Sequence, residues 1–157
     1  MSDTPPVVII TRRPGDPTEP TIGDGVCGDL AFVNLERPRT PLPEDFIDGA
    51  AHPCIDPIDT DLRWTENEHP EHPFIYEIMH VEGRTAILFH SADVIMQLEG
   101  CLAPGKIAVT WKKDAIRPGV PAHDTRGVAS SLPMLEMIQD KLCRKNTRII
   151  IQEGVST

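Results

Sequence analysis

Sixteen prolines and eleven glycines cut this chain into short pieces. Proline removes a backbone donor and fixes φ, and glycine supplies turn geometry, so together they disfavour long helices. Between them lie apolar runs rich in Val, Ile and Thr, the residues that pack well on a pleated surface. These are VVIITRR (7–13), DLAFVNLER (29–37), a run around 61–65, KIAVTWKK (106–113) and TRIIIQEG (147–154). DLAFVNLER alternates apolar and polar positions, as a half-buried strand does. FIYEIMHVEGRTAILFH (74–90) reads as a hairpin whose turn is Glu82-Gly83-Arg84. PGDPTEPTIGDG (14–25), PRTPLPEDFIDGAAHP (38–53) and NEHPEHP (67–73) read as turns and loops. One segment has helical spacing: Leu135, Ile138 and Leu142 share a face, Pro133 suits a first turn, and Arg144 and Lys145 suit the C-terminal end of the dipole. The expectation is a mainly β, β-rich α+β fold: a compact barrel- or sandwich-like sheet with one C-terminal helix over 132–145 and a last strand over 147–153, in one domain spanning 1–157.

The formal charge of −9 argues against nucleic acid as a partner, because binding to a phosphate backbone rests on Lys and Arg. No apolar run approaches the ~20 residues that span a bilayer, so membrane insertion is not expected. The opening MSDTPPVVII has neither a basic start nor a long apolar stretch, which reads as synthesis in a cytoplasm without a signal peptide. The four cysteines, Cys27, Cys54, Cys101 and Cys143, form no C-x-x-C pair. Reduced, partly buried thiols are the default in a cytosol, and oxidation is open to a protein that later leaves the cell. His69 and His72, in EHPEHP, have a zinc-like spacing on a helix, but the flanking prolines make it a solvated loop; His123 is no stronger. No cofactor or metal is expected.

His90 and Cys101 carry the sharpest chemical question. His90 ends an apolar strand, where a strand period sets it at a rim within reach of solvent. A cysteine nucleophile needs a base or cation to lower its pKa and backbone N–H groups to hold an oxyanion. His90 is the candidate base and Cys101 the candidate nucleophile. Gly100 and Cys101 are the candidate oxyanion backbone, with glycine allowing a close carbonyl approach. The other reading makes Cys101 a core thiol, since free cysteine is among the most buried residue types.

The order of VNLERP (33–38), CIDPIDTDLRW (54–64), VEGRTAILFHSAD (81–93) and EGCLAPG (99–105) resembles a small domain family of unknown function frequent in phages, prophages and bacteria. Its members run L-E-R-P, C-I-P-x-G-T-Y, P-G-R-x-x-I-x-H-x-G-N and G-C-I. The resemblance covers roughly Leu35 to Gly105, within a family-like core of about 29–113. It implies that Glu36, Arg37, Pro38, Cys54, Gly83 and Arg84 are motif residues with structural roles. It also implies a phage- or prophage-encoded protein with a virion, tail or cell-envelope role, binding other virion or tail proteins or peptidoglycan.

More distantly, the strand end Leu88-Phe89-His90 and the block Gly100-Cys101-Leu102 are similar to the I-H-G and S-H-G-C-I-R elements of L,D-transpeptidases of the bacterial cell wall. That similarity implies a transpeptidase-like β fold and a cysteine acyl transferase or hydrolase acting on peptidoglycan peptides. The chain carries Leu98-Glu99 where those enzymes carry Ser-His, and Ala103 where they carry Arg. The favoured expectation is therefore a non-catalytic structural or binding role, with cysteine chemistry as the alternative.

Overall fold

The structure, a computed structural model, describes residues 4–40, 53–66, 74–92, 98, 100–113 and 123–155. Eight strands form one sheet: β1 (Val8–Arg12), β2 (Thr21–Cys27), β3 (Leu30–Glu36), β4 (Ile58–Glu66), β5 (Phe74–Ile78), β6 (Ile87–Phe89), β7 (Ala103–Gly105) and β10 (Thr147–Glu153). Strands β8 (Ile107–Lys113) and β9 (His123–Ala129) pair as a separate antiparallel ribbon, and α1 (Ser131–Lys141) follows β9. Across the large sheet the order is β6-β5-β4-β10-β1-β2-β3-β7. Its outer strands meet: Phe89 bridges Leu102, His90 N donates to Leu102 O at 2.9 Å, and Leu102 N donates to Leu88 O at 3.0 Å. The sheet is thus a nearly closed barrel, as the patterning predicts.

Two layers of apolar side chains result. Inside the barrel, Val8 and Ile10 of β1, Phe32 of β3, Leu62 of β4, Tyr76 of β5, Phe89 of β6 and Ile149 of β10 pack with Met134, Leu135, Ile138 and Leu142 of the helix segment. Phe32 and Phe89 meet edge to face at 5.9 Å between ring centres, the arrangement aromatic quadrupoles prefer. Outside the barrel wall, Leu35, Ala103, Leu98, Cys101 and Val128 form a smaller cluster between β3, β7 and the ribbon. Gly105 permits that contact, since a Cβ there would lie 2.4 Å from Val128 Cβ.

Most of the expected strands form to within a few residues, and the Val81–Arg84 turn closes with Arg84 N donating to Val81 O at 3.1 Å. Three strands depart from expectation. β2 occupies part of the Gly- and Pro-rich stretch expected to be turns. Its glycines are there for packing: a Cβ on Gly25 would stand 2.2 Å from the Phe32 ring, so the missing side chain is replaced by that ring. β7 is three residues containing a proline, tolerated because it is an outer strand. β9 contains His123, which lies outside every strand expected from the sequence; it pairs with β8 and packs Val128 against the barrel wall. The helix also ends earlier than 145, because Cys143 and Arg144 turn left-handed at φ 55° and 53°.

Candidate functional site

One end of the barrel is polar. β1 alternates, so Arg12 follows Val8 and Ile10 onto the inner face and is 1% exposed. Its guanidinium grips Glu36 through Nε (2.9 Å) and Nη2 (2.7 Å), and Nη2 also donates to Ile55 O at 2.6 Å. Burial alone would depress the Arg12 pKa, but the hydrogen bonds and charge of Glu36 outweigh it and the net shift is upward. Asn34, fully buried and opposite Gly23, lies on the same inner face, and neither of its amide atoms has a hydrogen-bond partner among the described residues.

The motif segments converge at this end. Thr21 Oγ1 donates to Arg37 O at 2.9 Å, and Cys54 N donates to Pro38 O at 3.1 Å. Gly83, at φ 71°, makes the turn that launches Arg84. Arg84 Nη1 donates to Pro53 O at 2.9 Å, and Nη2 lies 1.7 Å from where a Cβ on Gly100 would stand. Gly100 itself is at φ 106°, a conformation that only glycine adopts readily. Glu36, Arg37, Pro38, Cys54, Gly83, Arg84 and Gly100 are therefore consecutive links in one set of contacts. Burial lowers the Arg84 pKa, and the nearby Cys101 and Cys54 sulfurs oppose that shift. Burial, and then the Glu36 charge, raise the Cys54 thiol above its ordinary value.

Cys101 belongs to the outer apolar cluster and is 8% exposed. Its sulfur accepts the Leu88 N–H at 3.4 Å and donates to the Ala86 carbonyl at 3.7 Å. Phe89 and Leu102 point inward, so the strand alternation turns Leu88, His90, Cys101 and Ala103 to the opposite face. The Phe89–Leu102 register, carried one residue each way, sets Cys101 beside Leu88 and His90 beside Ala103. The candidate pair thus shares a face and stands diagonally across the seam. His90 Nδ1 lies 3.0 Å from Ser91 O, a carbonyl to which only a protonated Nδ1 can donate.

One expectation changes here. His90 is not a rim residue open to solvent but a buried one. The chain beyond it folds against the helix, where Ala92 N donates to Ser131 Oγ at 3.0 Å. On Gly100, the side where a Cβ would stand is taken by the Arg84 guanidinium. Glu99, His69 and His72 lie outside the described residues, and of His123 only the strand backbone is described. Among the described residues no three His, Cys, Asp or Glu side chains are grouped to hold a metal ion, and no helix is long and apolar enough to cross a membrane.

A cavity that sequence patterning does not single out lies beside this cluster. It is about 420 Å³ and runs between the segment leading into β4 and the Val81–Arg84 turn, with Cys54, Asp56, His80, Glu82 and Arg84 on its walls. Apart from His80, its lining comes from two of the quoted motifs, and that shared origin is the one signal of it in the sequence. No family model, curated protein or solved structure matches this chain.

Proposed function

We propose that this chain is a non-catalytic β-domain protein with a structural or binding role, phage- or prophage-encoded and associated with a virion, a tail or the cell envelope. The observation that carries the non-catalytic part is the state of Cys101. Its sulfur is enclosed by apolar side chains and its S–H is engaged with a backbone carbonyl. A nucleophile needs an accessible thiolate, and this sulfur is 8% exposed. The phage and envelope part is supported by the order of the Leu-Glu-Arg-Pro, Cys54, Gly83-Arg84 and Gly100-Cys101 segments, and by their convergence at one barrel end.

The alternative, cysteine-dependent acyl transfer or hydrolysis on peptidoglycan peptides, is favoured by the placement of Arg84. A guanidinium beside Cys101 is the kind of charge that promotes a thiolate. Incubating the purified protein with peptidoglycan fragments separates the two readings. The expected result is binding or no interaction, with no covalent change in the fragments. Release or cross-linking of peptides that disappears in Cys101→Ala overturns the non-catalytic reading. Mass spectrometry of purified particles tests the location: the chain is expected among the particle or envelope components, and recovery only from the soluble lysate contradicts that placement.

A further inference from the structure

The β8–β9 ribbon stands outside the barrel and differs from it in charge. At its base Ala108 and Val128, opposite each other, turn to the wall and pack in the cluster of Leu35 and Ala103. The next pair on that face, Thr110 and Arg126, is exposed, so the ribbon runs on past the wall. The other face is apolar. Ile107 is 54% exposed there, and Val109 and Trp111 follow it, half-buried, with Ala129 and Gly127 across from the first two. Trp111 Nε1 donates to Val128 O at 3.2 Å, which fixes the indole on the ribbon. Among the described residues β8 and β9 pair with no other strand, and a two-stranded ribbon is marginally stable by itself. Residues 106–113 and 123–129 carry Lys106, Lys112, Lys113 and Arg126 against one carboxylate, Asp124, a net of +3; the whole chain is −9, so the remainder is −12.

That remainder has an acidic rim at the Arg12 end of the barrel. Asp16 and Glu19 lie between β1 and β2, Asp56 leads into β4, and Glu82 lies in the Val81–Arg84 turn. All four are exposed, and none has an ion-pair partner among the described residues. The basic groups of this end are already engaged: Arg12 by Glu36, Arg13 by Asp24, Arg39 by Glu153 and Arg84 by Pro53 O, while the His80 ring stands 3.5 Å from Asp61.

We propose that the ribbon docks by its apolar outer face on the acidic rim of a second copy of this chain, so that copies join head to tail. Two ribbons facing each other would oppose like charges, and so would two rims; ribbon on rim is the complementary pairing. An apolar centre edged by charge is the usual anatomy of a protein contact. Lysines on a strand discourage edge-to-edge pairing, which leaves the face as the contact surface. Such a contact uses different surfaces on its two partners, so it propagates into a ring or a filament rather than ending at a pair. The inference deepens the structural role proposed above by naming the partner.

Sedimentation of the full chain at increasing concentration tests it. The mass is expected to rise past that of a dimer, and the association to weaken at least about tenfold between about 50 mM and about 500 mM salt, because exposed charges are screened. Lys112→Glu with Lys113→Glu reverses the ribbon, and Glu19→Lys with Asp56→Lys and Glu82→Lys reverses the rim. Each set alone is expected to give a monomer with an unchanged circular dichroism spectrum. Mixed in equal amounts, the two variants are expected to form a dimer that grows no further, since one intact ribbon then meets one intact rim. A wild-type chain that stays monomeric at every concentration, an association that strengthens with salt, or folded variants that fail to pair on mixing overturns the proposal. Any of these leaves the non-catalytic reading standing, whereas Cys101-dependent turnover would remove that reading and leave this contact.

Discussion

The two ends of the barrel use the same strands for opposite purposes. At the end of β1 marked by Val8, the inner face is apolar: Cys27, Leu62, Tyr76 and Ile149 are fully buried, and Ile138 and Leu142 of the helix segment pack among them. Polar atoms there are few and satisfied locally, as when Tyr76 Oη donates to Lys145 O at 2.8 Å. At the Arg12 end, four residues along the same strand, the inner face carries an ion pair and an amide, with the Cys54 segment beside them instead of a helix. Apolar packing gains from burial without needing direction, about 1.5–3 kcal/mol for each large side chain. A buried ion pair gains little net energy but fails badly when broken. The first end therefore supplies stability, and the second fixes how the loops that build the cavity are placed.

That contrast is most directly broken at Arg12. Arg12→Met removes the partner of a Glu36 carboxylate that is 1% exposed, and about 3–5 kcal/mol of stability should be lost in a denaturant titration. The double change Arg12→Met with Glu36→Leu should recover much of it. A double variant as unstable as the single one would show that the pair contributes more than mutual neutralisation.

The apolar end is probed by alkali. Burial pushes the Cys27 thiol up to about 11 from an ordinary value near 9. Above pH 9 the unfolded chain has released this proton while the folded chain still holds it, so stability is full below pH 9 and falls as pH rises towards 11. The shift of about two units corresponds to roughly 2–3 kcal/mol, and burial acts on Tyr76 in the same direction. Stability measured by denaturant at pH 8 and pH 11 should differ by at least this much, and a flat profile would mean that Cys27 is not as enclosed as the packing indicates.

Gly25→Ala sharpens the comparison further. The new methyl meets the Phe32 ring, whose displacement should cost about 1–3 kcal/mol, visible as a lower melting temperature. The smallest effect expected is chemical: a thiol reagent near neutral pH should modify Cys143, the exposed cysteine, well ahead of Cys101 or Cys27. Peptide mapping gives the order, and early modification of Cys101 would contradict its enclosure.

Much of this arrangement is legible in the sequence. Alternation in β1 and β3 already puts Arg12 and Glu36 on the faces of Ile10 and Phe32, whereas their meeting depends on the registers of both strands with β2. The β7 strand is not legible in this way, because three residues with a proline carry no periodic signal and owe their conformation to neighbours distant in sequence. The enclosure of His90 is equally hidden. It depends on Ser131, whose hydroxyl holds the Ala92 backbone, and no local pattern links those two positions. The cavity is hidden for the same reason: Asp56 and Glu82 look like ordinary surface charges until the fold brings them to the same cavity as Arg84.

The seam between β6 and β7 has a further consequence. Elsewhere the wall is stitched by ladders of three to seven paired residues, but here a single bridge joins the two edges. Amide exchange with solvent should thus be fastest in this part of the wall, at the hydrogen bonds of His90 and Leu102. The barrel is better pictured as a clasped cuff than as a tube, with the clasp next to Cys101 and the hinge on the far side at β10 and β1.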